Sequence, residues 1–239
     1  MTDRSQRMAA RVYAVTNLLT LALMMYAFPH WFASYLIWTN QAETARNILA
    51  HESVFHYFMT FELVYGIGSL AMLTALYVVL RPVSRGLALF AALGNLIWAF
   101  MWLLWIAQQL FGLRIMHAAG ALQKMDPQQL QALAGLQLSS GWDLYYIGLA
   151  FLGVSSALFC YLFLRSRYIP RVLSGLGVVA SLFEGVCGGV YLLYPGFGNV
   201  VSVNYYEMPS MFFGLGLCAW ILIKGLKLPE TSSIAASAN

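Results

Sequence analysis

Two glutamates sit where a carboxyl is costly. Glu62 falls about nine residues into the apolar run 54–80, and Glu184 about 14 residues into the run 171–194. On helices those positions lie roughly 14 and 21 Å along the axis. An acid at the centre of a membrane helix costs about 2.5–3.5 kcal/mol, so such groups are hidden, paired or functional. Three chemistries follow. A carboxyl in a half-dry cavity can hold the polar end of a ligand, can load and release a proton, or can act as acid or base on a substrate that lies in the membrane.

The neighbours favour one shared interior. At helical spacing Glu62 shares a face with Tyr65, Gly66 and Ser69, and Glu184 with Ala180, Gly188 and Tyr191. Asn95 is the other deep polar group, with Trp98, Trp102 and Trp105 on adjacent turns, while Asp143 and Glu207 stand at the outer ends of their runs. The pattern predicts a cavity open to the outside, floored by Asn95 and walled by Glu62 and Glu184. Tyr65, Trp98, Tyr191 and Asp143 complete the candidate ligand-binding set. The alternative is structural: two glutamic acids bonded to Tyr or Ser that hold helices in register.

Other chemistry finds little support. The histidines of HESVFH (51–56) stand five apart and do not share a helix face as the i, i+4 pair of a zinc helix does, so no metal site is expected. Cys160, Cys187 and Cys218 are each alone inside an apolar run, which suits small packing residues rather than a disulfide or zinc framework. No lysine lies deep in any run to form a Schiff base, no nucleophile elbow supports hydrolysis, and no cofactor is implied.

The elements that must position these residues are membrane helices. Of 239 residues 61% are hydrophobic and 9% charged, far from the ~25% charge of a soluble domain. Six apolar runs, about 12–30, 54–80, 86–111, 143–164, 171–194 and 208–223, reach or approach the ~20 residues needed to span hydrocarbon. The expected fold is an all-α polytopic bundle of six transmembrane helices forming a single membrane domain over 1–239, with a flexible tail at 231–239. Ten of the 13 basic residues precede the first run, follow the sixth, or fill the gaps at 81–85 and 165–171. Only Arg46, Arg114 and Lys124 fall on the other side. By the positive-inside rule both termini are cytoplasmic and the protein belongs to the cytoplasmic membrane. The basic rim finds its counter-charge in anionic lipid headgroups, so no nucleic-acid partner is needed.

The outer connections predict short amphipathic helices. One is QAETARNILAHES within 31–53; another starts after Asp126, a capping residue, with Pro127 at the first helical position and leucines at 130, 133 and 136. Small residues at 177, 181, 185 and 189, and again at 210, 214 and 218, form stripes that admit a close backbone. The fifth and sixth spans are therefore expected to pack tightly, on each other or on a second copy of the chain.

Several segments in this order carry a resemblance: ARNILAHESVF (45–55), ALYVVLRPVSRGLALFAA (75–92), DPQQLQALA (126–134), YYIGLAFLGVSSALFCYLFLRSRYIPRVLSGLGVVAS (145–181) and WILIKGLKLPE (220–230). The chain resembles, from about residue 10 to 230, the bacterial integral membrane family called domain of unknown function 4386. LRPVSR and RSRYIPRVLSGLG are its most specific pieces. Members of that family often carry an Arg and a Glu three apart on the third span, where this chain has Asn95 and Trp98. The resemblance implies a polytopic membrane protein and supplies no activity. The residues themselves favour a protein that binds a small hydrophobic ligand or a partner membrane protein through the outer cavity. The alternatives are a proton-linked carrier and an intramembrane enzyme using the paired glutamates on a lipid or isoprenoid.

Overall fold

The structure, a computed structural model, describes residues 3–35, 41–117, 124–194 and 196–228; the 231–239 tail lies outside them. Six helices are long and apolar enough to cross a membrane. They are α1 (Asp3–Ala27), α3 (Glu52–Leu80), α4 (Arg85–Met116), α5 (Pro127–Ser166), α6 (Arg171–Leu193) and α8 (Val203–Ile223). Two short helices stand between them, α2 (Gln41–Ala50) and α7 (Phe197–Val200). No strand occurs among the described residues. The all-α six-span reading holds: this is a multi-pass membrane protein.

Each long helix packs on the next in sequence, and α1 packs on α8, so the six close a ring. Their outward faces are apolar, with Leu63, Val64 and Ile67 on α3 and Val179, Phe183 and Val186 on α6 all exposed. In lipid that exposure is solvation rather than a defect, because hydrocarbon is the solvent. Ten of the 13 basic residues gather at one end of the ring, since successive helices run in opposite directions. That end is plugged by an apolar cluster with Ala14, Leu80, Ala88, Phe163, Leu217 and Ile221. Two long-range hydrogen bonds tie it: Gln6 Nε2 donates to the Val79 carbonyl at 2.9 Å, and the Lys227 amide donates to the Tyr168 carbonyl at 3.0 Å.

At the opposite end α1 runs on through a π-helical turn, Phe28–Phe32, and a 3₁₀ turn, Ala33–Tyr35. This lets Phe32 stack on Phe58 with ring centroids 4.7 Å apart and join Phe55, Ile48 and Trp105 in a second cluster.

The structure differs from the sequence reading in two places. The amphipathic stretch after Asp126 is not separate from the fourth span; α5 runs unbroken for 40 residues. Asp126 does cap it, accepting from the Gln128 amide at 2.8 Å. The helix continues because its first turns have neighbours of their own. Leu130, Ala134 and Leu138, spaced i, i+4, i+8, are buried, while Leu133 and Leu136 of the expected stripe are exposed. Gln137 also donates to Gln108 Oε1 of α4.

The second difference is the partner of the small-residue stripe on α6. Its tightest contact is with α5, where the backbones of Gly153 and Gly185 meet, while Gly177 takes Phe213 of α8 and Cys160 of α5. Gly189 faces open space. The stripe on α8 turns to α1, where Asn17 Nδ2 donates to Cys218 Sγ at 3.2 Å and lies beside Gly214. Most of both stripes is thus used inside one chain.

Candidate functional site

The ring encloses a cavity of about 450 Å³. Its lining follows from helical spacing. On α3 the residues turned inward include Glu62, Tyr65 and Ser69, an i, i+3, i+7 face, and on α6 they are Ser181 and Glu184. Glu62 is 1% exposed and Glu184 6% exposed. The two glutamates therefore line one interior space, from helices that do not adjoin in the ring.

Glu62 is half satisfied. Its Oε1 accepts the Trp105 indole N–H at 2.9 Å in a buried contact. Its Oε2 is buried with no hydrogen-bond partner. Glu184 faces Ser210 of α8, whose Oγ is itself buried and makes no hydrogen bond of good geometry. Trp102 Nε1, on a lining residue, is likewise unpartnered, and Ser69 Oγ faces Tyr65 without a hydrogen bond of good geometry. Buried polar groups are nearly always bonded, so these four atoms set the cavity wall apart from an ordinary packed core.

Asn95 lines the cavity and donates to Ser155 Oγ at 2.7 Å. That bond fixes the α4–α5 contact as well as the cavity wall. Around the acids runs a continuous set of rings, all of them lining residues. Tyr65 lies 4.8 Å from Trp102, Trp98 5.4 Å from Trp102, Trp105 4.9 Å from Trp142, and Trp142 5.5 Å from Tyr145.

Asp143 and Tyr191 stand outside this lining. Tyr191 donates to Asp143 Oδ1 at 3.0 Å and stacks on Tyr146 at 3.7 Å. Asp143 is at the exposed start of the apolar part of α5, so the pair clasps α5 to α6 at the rim rather than facing the interior.

The structure also adds residues. Glu207 lines the cavity, because α8 begins at Val203 and carries it one turn inside the helix. Glu207, Ser210, Gly214 and Leu217 form an i, i+3, i+7, i+10 face, all of it in the lining; that periodicity was the available signal. Trp105 is the other addition, as the partner of Glu62. At the end opposite the basic rim Glu52 Oε1 is shared by His56 Nε2 at 3.3 Å and His117 Nε2 at 3.1 Å. Among the described residues no group of three His, Cys, Asp or Glu side chains could hold a metal ion.

A six-helix ring around a largely apolar interior with a few buried polar groups defines a polytopic membrane bundle with a central cavity. The family model for a domain of unknown function (DUF4386) matches residues 8–225, and the chain belongs to that family. No curated protein and no solved structure matches it.

Proposed function

We propose that this protein resides in the cytoplasmic membrane, with both termini in the cytoplasm, and binds a small hydrophobic ligand bearing a polar group in its central cavity. The observation that carries the reading is Glu62, fully buried, with one oxygen held by Trp105 and the other left without a protein partner. An unbonded buried polar atom costs on the order of 1–3 kcal/mol, and a donor or a cationic group brought by the ligand would remove that cost. The test is native mass spectrometry of the protein released from nanodiscs. A bound small molecule is expected on the wild-type chain and absent from Ser156→Trp, which fills the cavity from α5. An unliganded wild type that also shows no thermal shift against a library of amphiphiles rejects the reading.

The orientation has its own test. Reporters fused at the N-terminus, within 81–85, within 165–171 and at the C-terminus should all read as cytoplasmic, by the ten basic residues at that end against three at the other. Accessibility of residues 124–142 from the cytoplasm alone would invert the assignment.

A second reading, a proton-linked carrier, is favoured by the presence of Glu62 and Glu184 on separate helices of one cavity. Ligand binding in lightly buffered detergent solution would then take up or release protons; binding without any proton exchange rejects the carrier.

A further inference from the structure

We propose that the ligand of the central cavity is a hydrophobic organic cation, an amine or quaternary ammonium, seated with its charge among Glu62, Glu184 and Glu207 and its apolar part toward the basic end of the ring. The proposal rests on the cavity being a small-ligand site, and it assigns the chemical class.

Charge is the first argument. Among the described residues three carboxyls line the cavity, and no lysine, arginine or histidine does. An anion entering it would meet no counter-charge. A carboxyl removed from water needs either a proton or a paired cation; among the described residues the lining supplies no cation, so a cationic guest is one of the two complements left. Tyr65, one turn from Glu62 on α3, lies within electrostatic range of both Glu184 and Glu207, so the acids of α6 and α8 face the α3 wall that carries Glu62.

The lining surface is the second argument. Trp98, Trp102, Trp105, Trp142, Tyr65 and Tyr145 all contribute to the wall. Aromatic faces attract cations through the ring quadrupole, and tryptophan does so best. Combined with carboxylates, such rings form the usual receptor for alkylammonium groups.

Glu62 also carries an unfilled acceptor. Its side chain is 1% exposed and its Oε2 has no partner, so the acidic cluster contains a buried group that lacks its complement. An inorganic cation would need six or so oxygens at close range. The wall instead offers a few dispersed oxygens among many rings and aliphatic groups. Toward the basic end the lining is Leu73, Leu76, Phe159, Phe163 and Leu217, suited to an aryl or alkyl tail.

The test uses benzyltrimethylammonium, its neutral carbon isostere neopentylbenzene, and the anion phenylmethanesulfonate, each titrated by equilibrium dialysis against the full chain in nanodiscs of zwitterionic lipid, with empty nanodiscs subtracted. The cation should bind at least about tenfold more tightly than the isostere, and the anion not at all. Glu207→Gln, at a half-buried position, should reduce cation binding several-fold and leave the isostere unchanged. Glu62→Gln should do the same more strongly. Equal binding of cation and isostere would overturn the cation assignment while leaving a small-ligand cavity in place. Preference for the anion would overturn it too. No binding of any probe above empty nanodiscs would overturn both the cation assignment and the ligand-binding reading.

Discussion

Gly153→Ala should unfold or severely destabilise the protein, although alanine is the better helix former. A methyl built on Gly153 would lie 2.3 Å from Gly185 Cα, 2.4 Å from Gly185 N and 2.6 Å from the Ser181 carbonyl oxygen. All three are backbone atoms, so no side-chain rotation relieves the clash. Carbon atoms settle near 3.5–4.0 Å, and α5 would have to move more than an ångström off α6. Overpacking commonly costs about 1–3 kcal/mol, with larger values where nothing can yield; this site belongs at or above the top of that range.

The comparison positions make the prediction specific. A methyl on Gly185 would meet Gly153 Cα at 3.0 Å, so Gly185→Ala should be milder. Gly189, with nothing within 4 Å, should accept alanine with a change of about 1 kcal/mol or less, in the stabilising direction. Val179→Leu, on the lipid face with Val179 68% exposed, should be neutral. Thermal melts in detergent, read by size-exclusion chromatography, give the ranking. If Gly153→Ala melts with the wild type, α5 and α6 do not cross as described.

Much of this architecture could be read from residue types alone, because the membrane constrains a sequence so heavily. Six apolar runs can only be six spans when every backbone group must be bonded within its own segment. The inward turn of Glu62 and Glu184 was legible for the same reason, since neither carboxyl tolerates hydrocarbon. What the sequence could not convey was register between helices. Trp105 and Glu62 lie 43 residues apart, and nothing local says that one indole ends beside the other carboxyl. Asp143 and Tyr191 were grouped with the cavity because they share its end of the bundle. Their side chains pair with each other between α5 and α6 at the rim instead.

Glu207 shows the opposite kind of difficulty. It was visible as an acid at the start of the sixth span, yet its depth depended on where α8 begins. The apolar run starts at about 208, but the helix starts at Val203 and takes Pro209 within it. Pro209 is the seventh residue of the helix, past the early amides that lack intrahelical acceptors, so α8 continues through it at the loss of the bond an amide there would give the Tyr205 carbonyl. The added turns bring Glu207 onto the lining face. The unbroken α5 has the same origin: its polar early turns extend past the apolar run because α2 and α4 pack against them. Hydropathy marks what must lie in lipid, and helices end where their own contacts end.

Removing both Glu62 and Trp105 should cost less than the two single removals suggest. Glu62→Leu keeps the bulk but deletes the acceptor, leaving the Trp105 indole N–H buried without a partner. Trp105 is 3% exposed, so the loss should be on the order of 1–3 kcal/mol. Trp105→Phe leaves Glu62 with neither oxygen bonded, since Oε2 already lacks a partner, and should cost at least as much. The double variant, Glu62→Leu with Trp105→Phe, has no orphaned polar atom at this contact. It should therefore recover about 1–2 kcal/mol relative to the sum of the singles. Glu62→Gln should stay near wild-type stability, because its amide oxygen still accepts from the indole. Strictly additive losses in a mixed-micelle unfolding titration would show that the two groups are not bonded. Restored stability in the double variant, with binding of benzyltrimethylammonium still lost, would separate the two roles of the residue. The hydrogen bond holds α3 to α4, and the second oxygen is left for what enters the cavity.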